Sequence, residues 1–311
     1  MESSWDPAQR ELRFQTPEFA GTLRGDGSHH GITRLTHTPS ATPLVGSAGP
    51  LLGIYRLLCR DGWMGEAREM QHTVETSNTN SGLRLVWHPR PLHQARLTAV
   101  FILRPPNAVD LQIEVVGCGT YEAYEVFVAN YFHALLRPGV YAVDEEHGRA
   151  TGMERIEPEA NPVYKGLYVT FPRDEAAAHM FTDGRWRRGR HAARFLATRQ
   201  YALPLGYYRR EENGVDVLLM GLRDHVAGVS MAYATDTVPP DDIASHHSLY
   251  FSLWGQNLRP GTVLRTVVRL AVGTWGGDPE AHRAQWETFA EQYVGALGSG
   301  EVEETGDLFR A

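Results

Sequence analysis

The chain is predicted to be all-β: a large antiparallel β-sandwich with a C-terminal helix packed outside. Three observations predict it. Strand-like runs recur at regular spacing, separated by turns of Gly, Pro, Asn and Asp, with no alternating βαβ rhythm. Between His93 and Tyr141 long runs of this type follow one another directly. Only one strong helix signal occurs, and it lies near the end.

Along the chain, residues 1–10 read as an N-terminal arm, 11–298 as one domain that includes a helix over 279–297, and 299–311 as a loose acidic tail. Strands are expected at Leu12–Leu23, Ile32–Thr38, Glu69–Thr76 and Leu83–His88. Leu97, Ala99, Phe101 and Leu103 interleave with Thr98, Val100 and Ile102, so that strand is apolar on both faces and reads as central. Pro105-Pro106-Asn107 reads as a hairpin connection. Beyond it, Val109, Leu111, Ile113 and Val115 alternate with Asp110, Gln112 and Glu114, a period of two. Gly139–Pro162 is polar and turn-rich and is expected as a long loop inside the domain. Later strands are expected at Tyr164–Phe171, Val215–Gly221, Val229–Tyr233, Leu249–Trp254 and Leu264–Val272. Asp174–Phe181 reads as a short helix. In the final helix Asp278 can cap, Pro279 suits the first turn and Gly298 the stop. Trp286, Phe289, Ala290, Tyr293, Val294 and Leu297 form its apolar stripe, which reads as core contact.

Composition bounds the function. The chain has 311 residues, 42% hydrophobic and 22% charged, with net charge -7. A nucleic-acid groove would want a basic excess, so nucleic acid is not an expected partner. The one basic run, Arg185-Trp186-Arg187-Arg188-Gly189-Arg190, reads as a solvated turn. Cys59 and Cys118 have no metal spacing and sit in apolar strand contexts. No secretory leader and no membrane-length apolar run is seen, so a cytoplasmic protein is expected. A GxSxG elbow, a Gly-rich phosphate loop and an HExxH helix are missing from the sequence.

Three segments could carry chemistry. On a straight strand from Tyr121 to His133, Glu125, Phe127, Ala129, Tyr131 and His133 share one face, with Tyr131 and His133 about 7 Å apart. A phenol and an imidazole so placed can move protons on a sugar, although a satisfied aromatic core would look the same. In SHHSLYFSLWGQNL, His246, Ser248, Tyr250, Ser252 and Trp254 alternate with a core face of Leu249, Phe251 and Leu253. Rings stack on the C–H faces of sugars and hydroxyls take their oxygens. Arg265 and Arg269, on the next strand, could clamp a carboxylate such as that of a uronic acid. His30, in the Gly25–Gly31 turn, could face a cleft; Arg56, Arg60 and His72 are weaker candidates, and Arg56 if buried would need Glu66 or Glu69.

The chain resembles the galactose-mutarotase-like, or aldose-1-epimerase-like, group of β-supersandwich proteins over roughly residues 11–275. The resemblance rests on the run His93–Phe132, the hairpin YALPLGYYRREENGVDVLLMG and the pair HHSLYFSLWGQNLRPGTVLRTVVRLAVG. It implies a concave sheet that binds carbohydrate, as in sugar epimerases, accessory domains of glycosidases and polysaccharide lyases. His246-His247-Ser248-Leu249-Tyr250-Phe251 resembles the Asn-His-aromatic segment that supplies the acid in mutarotases, without its asparagine, and the late glutamate base has no match.

The function expected is therefore that of a carbohydrate-active protein acting on a mono- or oligosaccharide, acidic ones included, without cofactor or metal. Epimerisation or β-elimination would use His133, His246 and Tyr131, with His30, Tyr250, Trp254, Arg265 and Arg269 holding substrate. The alternatives are a non-catalytic sugar-binding or accessory subunit, and a metal-dependent enzyme built from His29, His30, His246 or His247. Sequence leaves the sugar and the oligomeric state open.

Overall fold

In the computed structural model the described residues are 1–26, 30–76, 82–144, 152–158, 160–165, 167–186, 196–197, 199–232 and 246–298. His29, Arg187, Arg188, Arg190, Tyr233, residues 145–151 and the 299–311 tail lie outside them, as do the side chains of Val294 and Leu297.

Strands, numbered along the chain, form three sheets. The five-stranded sheet runs β1 (Glu2–Asp6), β2 (Glu11–Gln15), β3 (Phe19–Arg24), β4 (Gly31–His37), β5 (Thr42–Pro43). The seven-stranded sheet has the order β16 (Leu196–Ala197), β15 (Tyr168–Pro172), β19 (Val226–Ala232), β20 (Ser248–Leu258), β12 (Tyr121–Tyr131), β6 (Gly53–Cys59), β7 (Gly62–Glu66). The nine-stranded sheet has the order β14 (Met153–Ile156), β13 (Arg137–Val143), β17 (Tyr201–Arg210), β18 (Val215–Gly221), β21 (Val263–Gly273), β11 (Ala108–Gly117), β10 (Ala95–Arg104), β9 (Gly82–Trp87), β8 (Thr73–Thr76). Among the described residues all pairings are antiparallel except β15 with β16. One continuous apolar core joins the sheets, from Leu12 and Phe14 through Leu97, Phe101 and Ile113 to Val126, Val128 and Phe251.

The alternation rules hold where they are clearest. Val109, Leu111, Ile113 and Val115 of β11 are fully buried in that core. β10 is central, between β9 and β11, and both its faces are buried. The connection at 105–107 is a hairpin, with Arg104 opposite Ala108. Other expectations are corrected. The run Leu12–Leu23 breaks into β2 and β3 because Thr16 turns the chain, its Oγ1 accepting the Glu18 and Phe19 N–H groups. The segment read as an N-terminal arm carries β1, paired with β2, and Trp5 packs on the core. The turn-rich stretch from Gly139 to Pro162 begins in β13 and carries β14 within it, the two strands paired.

Two α-helices and a short 3-10 helix (Ala67–Glu69) complete the described structure. α1 (Glu175–Thr182) is capped by Asp174, whose Oδ1 accepts the Ala177 N–H at 2.8 Å. α2 (Pro279–Gly298) follows Asp278, whose Oδ1 accepts the Glu280 N–H. Phe289 and Tyr293 bury α2 on the outer face of the nine-stranded sheet, against Leu218, Met220, Val267 and Ala271. Burying a ring such as Phe289 contributes roughly 1.5–3 kcal/mol. A polar lock adds to it: Asp110, fully buried, accepts bonds from Arg104 (2.9 Å), Arg269 (2.6 Å) and the Tyr293 hydroxyl (2.5 Å).

Candidate functional site

The face of the seven-stranded sheet turned away from the core carries an aromatic cluster. It is built by register. β12 pairs with β20 so that Ala129 faces Tyr250 and Tyr131 faces Ser248. Phe127, Tyr250 and Tyr168 then stack in a row, at 4.9 Å between the first two rings and 5.5 Å between the last two. Tyr131 stands edge-on to Tyr250 at 5.9 Å and to His246 at 5.6 Å. A register shift between β6 and β12, where Phe127 pairs Arg56 and Val128 pairs Ile54, leaves Tyr55 as the extra residue. Such a bulge re-aims side chains, and Tyr55 joins Arg56 on this face, with the Arg56 guanidinium 4.8 Å from the Tyr55 ring centre.

Electrostatics set what this face can do. Burial pushes the Tyr131 phenol up to about 12 and holds Tyr168 and Tyr250 well above the usual tyrosine value. All three stay protonated at neutral pH, as donors and not as bases. Glu66 sits between two arginines, Arg68 Nε at 2.5 Å and Arg56 Nε at 3.7 Å, so Arg56 has the partner its burial requires. Tyr55, Arg68 and Tyr131 surround a recess of about 40 Å3 floored by His30, Gly49 and Pro50. His30 is buried, its Nε2 accepts the Ile54 N–H at 3.0 Å, and its ring meets Trp87 at 5.1 Å.

Further down the same face, Glu125 and Arg185 form a fully buried pair at 3.1 Å. Arg185 also holds Asp183 and donates to the Ala123 carbonyl. Burial pushes the Glu125 carboxyl up, and the Arg185 charge works against that rise. Trp186 packs its edge on Phe127 at 4.8 Å. Arg185 and Trp186 are thus core-like, not the solvated turn the basic run suggested.

Of the residues singled out in the sequence, Tyr131, Tyr250, His246 and His30 come together here. Tyr250 is buried (1%), so the rings partly open to solvent are Tyr55 and Tyr131. Three expectations are corrected. His133 leaves the strand, because β12 ends at Tyr131; its Nδ1 accepts the Leu135 N–H in a turn, and it makes no ring contact with the cluster. Trp254 does not share the Tyr250 face. Its φ of 72° breaks the alternation, and both Leu253 and Trp254 enter the core. A non-glycine residue held there costs on the order of 1–3 kcal/mol. Arg265 and Arg269 lie on β21, in the other sheet, and pair with Glu114 and Asp110 of β11 (2.8 and 2.6 Å), so they do not clamp a ligand in this cluster. Among the described residues no three His, Cys, Asp or Glu side chains are grouped to hold a metal, and no helix is long and apolar enough to cross a membrane.

Sequence reasoning missed Tyr55, Arg68, Tyr168 and Trp186. Tyr55 depends on a bulge and Trp186 on a long-range ion pair, and neither leaves a periodic signal.

The sandwich is similar to solved structures of galactose-mutarotase-like fold. A putative aldose 1-epimerase from Escherichia coli K12 superposes with a TM-score of 0.51 at 11% identity, covering 85% of this chain and 99% of that one. The GalM/aldose epimerase homologue from C. elegans gives 0.51 at 9% identity, over 88% and 99% of the two chains. The α-N-acetylgalactosaminidase NagBb from Bifidobacterium bifidum, in complex with GalNAc, gives 0.53 at 13% identity, over 90% of this chain but 39% of that one. No family model and no curated protein matches the sequence.

Proposed function

We infer that the protein binds a saccharide on the outer face of the seven-stranded sheet, over Tyr55 and Tyr131 and beside Arg68 and His246. The observation that carries this is the Tyr131 ring, partly open, braced edge-on by Tyr250 and His246 and bordered by Arg68. A rigid ring offers a flat apolar face to sugar C–H groups, and phenols and guanidinium N–H groups supply donors to its oxygens. Structural neighbours named as epimerases and a GalNAc-bound glycosidase support the ligand class.

A second reading, cofactor-free proton transfer, is favoured by the contact between Tyr131 and His246. In an anomeric epimerisation the Tyr131 phenol gives a proton to the ring oxygen while the His246 imidazole takes one from the anomeric hydroxyl. The ring then opens and recloses. Without that second step the protein is a binding or accessory subunit.

A thermal-shift screen of mono- and oligosaccharides, uronates included, tests the binding. A true ligand raises the unfolding midpoint with the logarithm of its concentration, by about 2.7 kcal/mol of stability at a hundredfold excess over Kd. Polarimetry on the stabilising sugars then separates the readings. Turnover in wild type that is lost in His246→Ala supports catalysis; binding without turnover leaves the binding reading alone. A panel in which no saccharide stabilises the protein overturns both.

A further inference from the structure

A larger open groove lies away from the aromatic cluster, where the two big sheets meet α2. It encloses about 580 Å3, within the roughly 300–1,000 Å3 range of small-molecule sites. Its walls come from four elements: Trp286 and Ala290 of α2, Arg265 of β21, Trp254 and Gln256 of β20, and Arg223–His225 of the turn between β18 and β19.

Several features show a built surface. Trp254 and Gly255 both have positive φ, 72° and 74°, and the Trp254 N–H is fixed by the His225 carbonyl at 2.7 Å. This strained step turns Trp254 away from the aromatic face into the core that backs the groove, which it helps to line; bulky residues held at positive φ concentrate at functional sites. Trp286 is fixed by its indole N–H on the Gly221 carbonyl at 3.0 Å, with Arg223 5.6 Å from its ring centre.

The polar groups leave donors to spare. Arg265 spends Nε and Nη2 on Glu114, and among the described residues Nη1 makes no hydrogen bond. His225 spends Nδ1 on Thr266 Oγ1 at 3.0 Å, and Nε2 makes none among the described residues. Glu114 is shared by Arg96 and Arg265, so that trio carries a net positive charge. Arg223 adds another and Asp224 subtracts one. The balance is positive in a chain of net charge -7.

We propose that this groove is a second ligand site, specific for a carboxylate-bearing sugar unit. The carboxylate takes Arg265 Nη1 and His225 Nε2, the ring lies along Trp286, and Gln256 reaches a hydroxyl. Charge-assisted bonds of this kind are about twice as strong as neutral ones, so a neutral hexose loses most of the affinity. The ligand class is drawn from the saccharide reading, while the position is independent of it.

The full chain labelled with 5-fluorotryptophan tests the proposal by 19F NMR, with Trp186, Trp254 and Trp286 assigned through Trp→Phe variants. Glucuronate or galacturonate should shift the Trp286 and Trp254 signals saturably, with glucose and galactose at least about tenfold weaker. Arg265→Gln and His225→Gln should each weaken the uronate by several-fold and leave the Trp186 response to neutral sugars unchanged. Glu114 stays paired with Arg96 in the first variant, and circular dichroism confirms that both are folded. Silent Trp286 and Trp254 signals, or equal shifts by glucose and glucuronate, overturn the groove assignment. Because Trp186 lies in the aromatic cluster, its response alone supports the first site and refutes the second. A Trp286 response with Trp186 silent does the reverse.

Discussion

Replacing Arg185 by Met should destabilise the protein more than any exposed substitution. Arg185 and Glu125 are both fully buried and 3.1 Å apart, and among the described residues no other cation is hydrogen-bonded to Glu125. Arg185 also carries the bonds to Asp183 and to the Ala123 carbonyl at 2.9 Å. Removing one partner of a buried pair leaves an uncompensated charge and costs about 3–5 kcal/mol. Glu125 can escape part of this by taking up a proton. Its folded pKa is already raised by burial, and loss of Arg185 raises it further. A raised folded pKa means the native state binds more protons than the unfolded one, so stability falls as pH rises through that pKa. The deficit of Arg185→Met should therefore be largest at pH 7 and above and shrink toward pH 5. In Glu125→Gln/Arg185→Met no buried charge remains, and most of the loss should be recovered. Urea unfolding of wild type, both single variants and the double variant, at both pH values, gives the cycle. A deficit below about 1 kcal/mol at pH 7 with unchanged m, or a double variant no more stable than Arg185→Met, would show that the pair does not hold this face together.

Other predictions concern the helix, the acid limb and the site. Asp110→Ala strips the acceptor from Arg104, Arg269 and Tyr293 and should cost about 3–5 kcal/mol; hydrogen exchange should show α2 amides losing protection. His93 is buried against Tyr124, and burial lowers its pKa from 6.5 to about 4. The native state then binds fewer protons than the unfolded chain, so this contribution is complete above pH 6.5 and is lost as pH falls toward 4, up to about 3 kcal/mol. His93→Gln should flatten that part of the stability–pH curve, and an unchanged slope would contradict the assignment. A Cβ on Gly49 would lie 2.6 Å from the Tyr131 ring. Gly49→Ala should therefore displace the ring and weaken sugar binding by about tenfold, by calorimetric titration, since a stacked ring is worth about 0.5–1.5 kcal/mol.

Much of the architecture was legible because it is periodic. The alternation in β11 and the double apolar face of β10 identify an inner strand and its central neighbour before any coordinate is seen. The α2 stripe, from Phe289 to Tyr293, and the hairpin at 105–107 were equally plain. The site was legible only in part. Tyr131, Tyr250 and His246 follow from counting in twos along β12 and β20. Trp254 defeats the count because a positive φ at that residue reverses its direction. His133 defeats it because the strand stops two residues early. Arg265 and Arg269 do lie on one face, as counted, but strand order puts that face on the other sheet, opposite Glu114 and Asp110. Periodicity gives a residue's side of its own strand; which sheet that strand joins depends on contacts more than a hundred residues apart, as between β11 and β21.

Saturation-transfer difference NMR on the best-stabilising sugar addresses the aromatic face most directly. Wild type should transfer magnetisation to the C–H protons of one sugar face, and Tyr55→Ser/Tyr131→Ser should abolish the transfer while the protein remains folded. If that double variant, intact by circular dichroism, saturates the sugar as strongly as wild type, the saccharide does not lie on Tyr55 and Tyr131 and the assignment of this face is wrong.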